Sequence, residues 1–322
     1  MARTTLRIRL MTCIALLSIA AVAVCALYLR DLARARSRLL GRSQTISTSL
    51  GDMEYALLGK GAPVLAVHGA GGGFDQSLDM LGPLADHGYR LIAPSRFGYL
   101  GSKSPAHLST ATQADAYVDL LDRLGVQKVD VIGISAGSWS ALQFAIRHPG
   151  RTHALVLLVP APHMPPQKNT ATATFIRAMF GSDFVAWATI QLMPILPAAL
   201  TRMILGSDPA VVRAAEPSEQ ARARRIVENL LPVSPRTKGM EFDIRSATLP
   251  EPYALDKISC PVMTLSAADD AFGTALRAEF IAAGVSTGRA VIYSTGGHAL
   301  VGHYQDARRE IVSFIGGLQN ER

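Results

Sequence analysis

The feature that most restricts what this chain can fold into is the stretch KVDVIGISAGSWSALQFAI, residues 128–146. Its first seven residues, Lys128 to Ile134, are dominated by the β-branched apolar residues Val129, Val131, Ile132 and Ile134, as suits a strand buried on both faces. Its remainder, from Ala136 to about His148, has the composition of a helix, so strand and helix are joined by little more than Ser135. So tight a turn brings the two backbones close together, which requires small residues on either side, and Gly133 and Gly137 stand two positions before and after the serine. A G-x-S-x-G sequence alone says little. At the end of a strand and the mouth of a helix it projects a hydroxyl clear of a sheet, where helix N–H groups and the helix dipole favour a developing anion.

The same strand–helix alternation recurs along the chain. Short β-like stretches cover 45–58, and apolar runs at Pro63–Val67 and Arg90–Ala93 end in glycine-rich or polar turns. Residues 110–124 place Ala116, Leu120, Leu121 and Leu124 on one side of a helix, with Gly125 as its stop. After Ala154–Val159 the pattern breaks. Residues 161–250 are rich in proline, methionine and aromatics, including Phe180, Phe184, Trp187 and Met193, and carry a polar helical piece at 218–230. Alternation resumes with strands at Pro261–Ala267 and Ala290–Tyr293 and helices at 274–283 and 304–317. All-apolar strands alternating with helices indicate a parallel sheet covered on both faces, here interrupted by a mostly helical insertion.

The net charge of +7 suggests a nucleic-acid or membrane surface until it is located. Eight arginines (Arg3, Arg7, Arg9, Arg30, Arg34, Arg36, Arg38 and Arg42) and one acid, Asp31, lie in residues 1–42. Removing them from the 32 basic and 25 acidic residues of the whole chain leaves 24 of each. The body is therefore neutral and carries no electrostatic footprint for nucleic acid. Between the arginine clusters, Leu10 to Leu29 is an uncharged run long enough for the ~30 Å core of a bilayer. We expect an uncleaved single-pass anchor within a segment 1–42, with a cleaved signal peptide and secretion as the alternative. Arginines on both flanks leave its orientation open. Cys13, Cys25 and Cys260 are read as small apolar packing residues, too few for a disulfide framework.

Three further motifs complete a constellation around Ser135. The run at Pro63–Val67 ends in His68-Gly69-Ala70-Gly71-Gly72-Gly73, the strand from Pro261 ends in Ala268-Asp269-Asp270, and the last strand ends in Gly296-Gly297-His298. With the Gly133–Gly137 turn, and with the segment from Leu120 through Leu158, these resemble the α/β-hydrolase fold family over nearly all of residues 50–318. The resemblance implies an α/β fold with a mostly parallel eight-stranded sheet, helices on both faces, and a helical lid. The core would be 43–160 and 251–322, and the lid 161–250. It implies Ser135 as nucleophile, His298 as base and Asp270 as acid, with Asp269 the alternative for the acid. The backbone N–H groups of Ala70 and Ala136 would form the oxyanion hole. His68 would brace its loop, and His148 would stand at a helix end.

The remaining histidines (His87, His107, His153, His163 and His303) lack the spacing of metal ligands, and no G-K-[ST] follows the glycines at 71–73, so no metal or cofactor is expected. The leading expectation is a membrane-anchored serine hydrolase cleaving an ester of a small, moderately apolar molecule. A C–C bond hydrolase of ring-cleavage products is the alternative within the same fold, followed by amide hydrolysis and acyl transfer. A non-catalytic receptor or scaffold of this fold is the reading from outside enzymology.

Overall fold

The computed structural model describes residues 2–162, 171–249 and 253–319. The chain divides into two units, Met1–Leu40 and Gly41–Arg322. The first is a single helix, α1 (Ala2–Ser37). The most apolar part of its stretch Arg7–Ser37 reaches a mean hydropathy of 2.6, so by length and composition this helix suffices to cross a membrane, a property that signal sequences share.

The second unit is built on one eight-stranded sheet in the order β1-β2-β4-β3-β5-β6-β7-β8. Its strands are β1 (Gln44–Thr48), β2 (Gly51–Leu58), β3 (Ala62–Val67), β4 (Tyr89–Pro94), β5 (Val129–Ile134), β6 (Thr152–Leu158), β7 (Val262–Ala267) and β8 (Gly288–Tyr293). β1 and β2 are antiparallel to their neighbours, and from β4 to β8 all pairings are parallel. This is the mostly parallel α/β sheet that the alternation predicts.

Side chains alternate across the strands, and the two sets have separate partners. Leu65, Val67, Val129, Val131, Leu155 and Leu157 share one buried cluster with residues of α3 (Thr110–Arg123) and α4 (Gly137–Arg147). Leu158 lies beyond that cluster, beside residues of α2 (Phe74–Leu81) and α12 (Tyr304–Gln319). The helix α3 starts where the Ser109 hydroxyl accepts a hydrogen bond from the Thr112 amide and the Thr112 hydroxyl oxygen in turn accepts one from the Ser109 amide.

The chain passes from β3 to β4 on one side and then to β5 on the other side of β3. The segments leaving β3 and β5 thus part to opposite faces, so the carboxyl ends of these two strands form the topological switch point of the sheet, the place where open α/β sheets bind ligands.

Between β6 and β7 lie six α-helices among the described residues: α5 (Ala171–Gly181), α6 (Asp183–Leu192), α7 (Pro197–Leu205), α8 (Pro209–Ala214), α9 (Pro217–Glu228) and α10 (Thr237–Thr248). Residues 163–170 and 250–252, at the ends of the expected insertion, lie outside the described residues, and His163 with them. The last connection before β8 is α11 (Thr274–Ala283).

The insertion is fastened to the core by two buried ion pairs that the sequence did not announce. Arg236 meets Asp75 at 2.8 Å, each side chain 1% exposed, and Arg96 meets Asp243 at 2.6 Å, each 4% exposed. Arg236 also donates to the Gly72 carbonyl, and the Tyr99 hydroxyl donates to Asp243. Breaking such a pair from one side strands a buried charge, so Asp75→Asn is expected to cost about 3–5 kcal/mol of unfolding free energy in urea titrations.

Candidate active site

The residues singled out in sequence come together at the carboxyl ends of β3, β5, β7 and β8. Ser135 follows β5 directly and adopts φ 50°, a left-handed conformation that a non-glycine residue holds only under constraint. The constraint is visible at the two flanking glycines. A Cβ on Gly133 would stand 2.7 Å from the Ala141 Cβ, and one on Gly137 would collide with the His68 carbonyl. The turn therefore fits only because strand, helix and the end of β3 approach each other as bare backbone.

His298 lies on the short loop after β8. Its Nε2 is 2.9 Å from Ser135 Oγ, and its Nδ1 is 2.8 Å from Asp270 Oδ2. The Asp270 side chain is fully buried and accepts further hydrogen bonds from the Phe272 amide and the Thr274 hydroxyl. Burial alone would raise its pKa, but the neighbouring His298 and these donors outweigh burial and hold the carboxyl below its ordinary value. An ionised carboxylate there fixes the imidazole tautomer with the proton on Nδ1, leaving Nε2 to accept from the serine hydroxyl. The Phe272 ring packs edge-on against His298 at 4.9 Å.

Asp269, the alternative acid, faces elsewhere. Its carboxylate accepts from the amides of Gly296 at 3.2 Å and Gly297 at 2.8 Å. These two bonds make it an anchor for the loop that carries His298.

The loop after β3 lies against the serine turn. A Cβ on Gly69 would come within 3.1 Å of both the Ile134 carbonyl and Ser135 Cβ. Among the described residues, neither the Ala70 nor the Ala136 amide has a protein acceptor, so both donors remain available beside Ser135. His68 braces this loop, its Nδ1 bonded to the Gly69 carbonyl and its Nε2 accepting from the Arg96 amide. Burial first, and then the charge of Arg96, hold its pKa well below the ordinary value, so it stays neutral. Residues of the insertion close over the same loop, with Leu230, Phe180 and Met240 nearest Gly71.

The other sequence candidates fall outside this constellation. His148 caps the end of α4 and bonds Asp115, and His303 stacks on Tyr293. Cys260 is buried, with its thiol pushed up to about 11 by burial, which suits a packing residue and not a nucleophile. Among the described residues, His, Cys, Asp and Glu form no group suited to hold a metal ion. Sequence reasoning missed Gly206 of the insertion, whose backbone is left-handed (φ 56°) and where a Cβ would collide with Asp270 Oδ1 at 2.8 Å and His298 Cβ at 2.9 Å. A glycine ending an apolar helix was its only signal.

Comparison with known proteins agrees with this architecture. A family profile described as alpha/beta hydrolase fold matches residues 62–301. The chain is 39% identical over 118 residues to an uncharacterized hydrolase, YcgS, of Bacillus subtilis (strain 168), covering 36% of this chain and 40% of that protein. It is 37% identical over 103 residues to a 2-hydroxymuconate semialdehyde hydrolase of Pseudomonas putida, covering 31% of this chain and 37% of that protein. The matches thus span less than half the length of these curated relatives. Among solved structures, an alpha/beta hydrolase fold protein from Nakamurella multipartita superposes with a TM-score of 0.69 at 25% identity, covering 84% of this chain and 98% of that one.

The neutral, buried state of His68 has a consequence for stability. Its folded pKa lies below that of an unfolded histidine, near 6.5, so the unfolded chain binds the extra proton as pH falls. Stability is expected to decline from about pH 6.5 downward, and His68→Asn to lower the baseline while flattening that slope, as read from urea midpoints between pH 5 and 7.5.

Proposed function

We propose that this chain, which belongs to the alpha/beta hydrolase fold family, is a serine hydrolase that cleaves an ester of a small, partly apolar molecule. The observation that carries the reading is the unbroken line of contacts from Ser135 Oγ through the His298 imidazole to the buried Asp270 carboxylate. In this reading Ser135 Oγ adds to the substrate carbonyl while His298 Nε2 takes its proton. The oxyanion forms beside the Ala70 and Ala136 amides, at the N-terminus of α4. Collapse expels the alcohol, which leaves with the proton from His298, and water then hydrolyses the acyl-enzyme by the same proton route. Asp270 holds the tautomer and stabilises the imidazolium. No step calls for a metal or cofactor. The insertion at 161–250 serves as a lid, and its apolar side chains, Phe180, Leu230 and Met240 beside the oxyanion loop, favour an apolar acyl group.

A second reading, C–C bond hydrolysis of a ring-cleavage product, is favoured by the name of the Pseudomonas putida relative. It uses the same three side chains. Turnover of nitrophenyl esters against that of a vinylogous diketone separates the two.

The test of the site is covalent labelling by a fluorophosphonate together with ester turnover. Ser135→Ala should abolish labelling and turnover while the protein stays folded. Asp270→Asn should lower kcat by about 10⁴-fold, as loss of the orienting carboxylate does in such triads. Asp269→Asn, which weakens only backbone anchoring, should cost well under roughly a hundredfold, the scale of a lost charge-assisted hydrogen bond. The reverse ranking would exchange the roles of the two aspartates.

For α1 the reading is a single-pass N-terminal anchor, supported by its uncharged run and its length. Burial, and not the flanking arginines, then holds the protein in membranes, so it should resist extraction by both high salt and alkaline carbonate. A mature protein that begins beyond residue 22 and is free in solution would identify the segment as a cleaved signal peptide.

A further inference from the structure

The loop that carries His298 is held from two sides. On the core side, Asp269 binds the amides of Gly296 and Gly297. On the other side the insertion takes over. Ser207 donates to the Gly296 carbonyl at 3.1 Å, and Ala299 and Val301 share a buried apolar cluster with Leu205, Ala223 and Val227 of the insertion. The second half of the loop thus packs into the small core of the insertion.

Two charged residues of α9 define the contact. Arg222 and Glu219 form a mostly buried pair at 2.8 Å. Arg222 Nη2 donates to the carbonyl of Ala299 at 2.7 Å and reaches that of Leu300 at 3.4 Å, and its guanidinium lies over the Tyr304 ring. Glu219 accepts from the Gly302 amide at 3.1 Å. Between these two clasps Leu300 adopts φ 48°, a left-handed conformation that a branched side chain keeps only when its surroundings impose it. Arg222 bonds the two carbonyls that flank this turn, the first of them on the residue immediately after His298.

We infer that Glu219 and Arg222 are positioning residues for His298, so that the insertion sets the register of the base against Ser135 as well as covering the site. This rests on the reading of His298 as general base. Without the clasp, Leu300 relaxes toward a common backbone conformation and carries the adjoining peptide with it. A displacement of about 1 Å in a 2.9 Å proton-transfer contact is enough to cost on the order of a hundredfold in rate. The clasp itself touches only protein groups, so the affinity for a small ester is left nearly unchanged.

The experiment uses the full chain in detergent, with active sites titrated by a fluorophosphonate and kcat and KM measured on a short nitrophenyl ester. Glu219→Gln, which preserves shape and removes charge, and Arg222→Met should each lower kcat per titrated site and the labelling rate about tenfold or more, with KM within about twofold. Arg222→Lys should recover much of the loss. Arg224→Met, on an exposed side chain of the same helix, should behave as wild type. A purely structural role predicts fewer titratable sites, each working at the wild-type rate, and that result for both Glu219→Gln and Arg222→Met would overturn the inference. A wild-type chain that does not label would instead remove the reading of the site itself.

Discussion

The close approach of three backbones around Ser135 is the constraint on which the rest of the molecule depends. β5 must end, a helix must begin, and the loop after β3 must lie against both, all within contact distance of one residue in a left-handed conformation. Only glycine at 133 and 137 leaves room for this, glycine at 69 eases the approach of the third backbone, and a sheet buried on both faces is what holds the pieces still. The strain in the turn is therefore a property of the whole sheet. Apolar burial along β3, β5 and β6 offsets a local conformation that Ser135 would not choose.

Around this rigid centre the protein spends charge where charge is expensive. Arg236 with Asp75, and Arg96 with Asp243 and Tyr99, are removed from water almost completely. Buried pairs of this kind gain little net stability over well-packed apolar groups, since desolvation cancels much of their attraction. What they supply is direction. Arg236 binds the Gly72 carbonyl and the Arg96 amide binds His68, so both networks end on the loop that bears Ala70. A neutral His68 completes the bracing, because a charged imidazole beside Arg96 would repel it.

Much of this was legible in the sequence, and the limits are physical. Apolar runs such as Val129–Ile134 report burial on both faces, and the glycines around Ser135 report a close approach, because each is a local requirement that few residues meet. The strand ends before Asp270 and His298 were readable for the same reason, whereas the parts assigned to these two residues came only from the resemblance of their motifs to those of the family. Asp269 and Asp270 could not be separated by spacing alone, since adjacent carboxylates differ only in which neighbour each one faces, and that is set by the path of a loop 27 residues away. Arg222, Arg236 and Gly206 were not foreseen. A charged residue on a helix looks solvated in sequence, and its burial depends on a partner far along the chain. Gly206 reads as an ordinary helix stop, and its real role is to leave space for two side chains beyond residue 269.

That space bears on how such an enzyme can diversify. Gly206 and Ser207 fill the gap beside Asp270 and His298 so closely that Gly297 could carry no side chain without striking Ser207. The insertion and the histidine loop are therefore cut to one another, residue against residue, across about ninety positions of sequence. An insertion of different length or origin could not be spliced in as a cassette between β6 and β7 without also supplying a matching small-residue edge. Substitutions on the outer surface of the same helices meet no such restriction. Change in this protein is therefore free at the face of the insertion turned to solvent and bound at the face turned inward, where each substitution must be matched across the histidine loop.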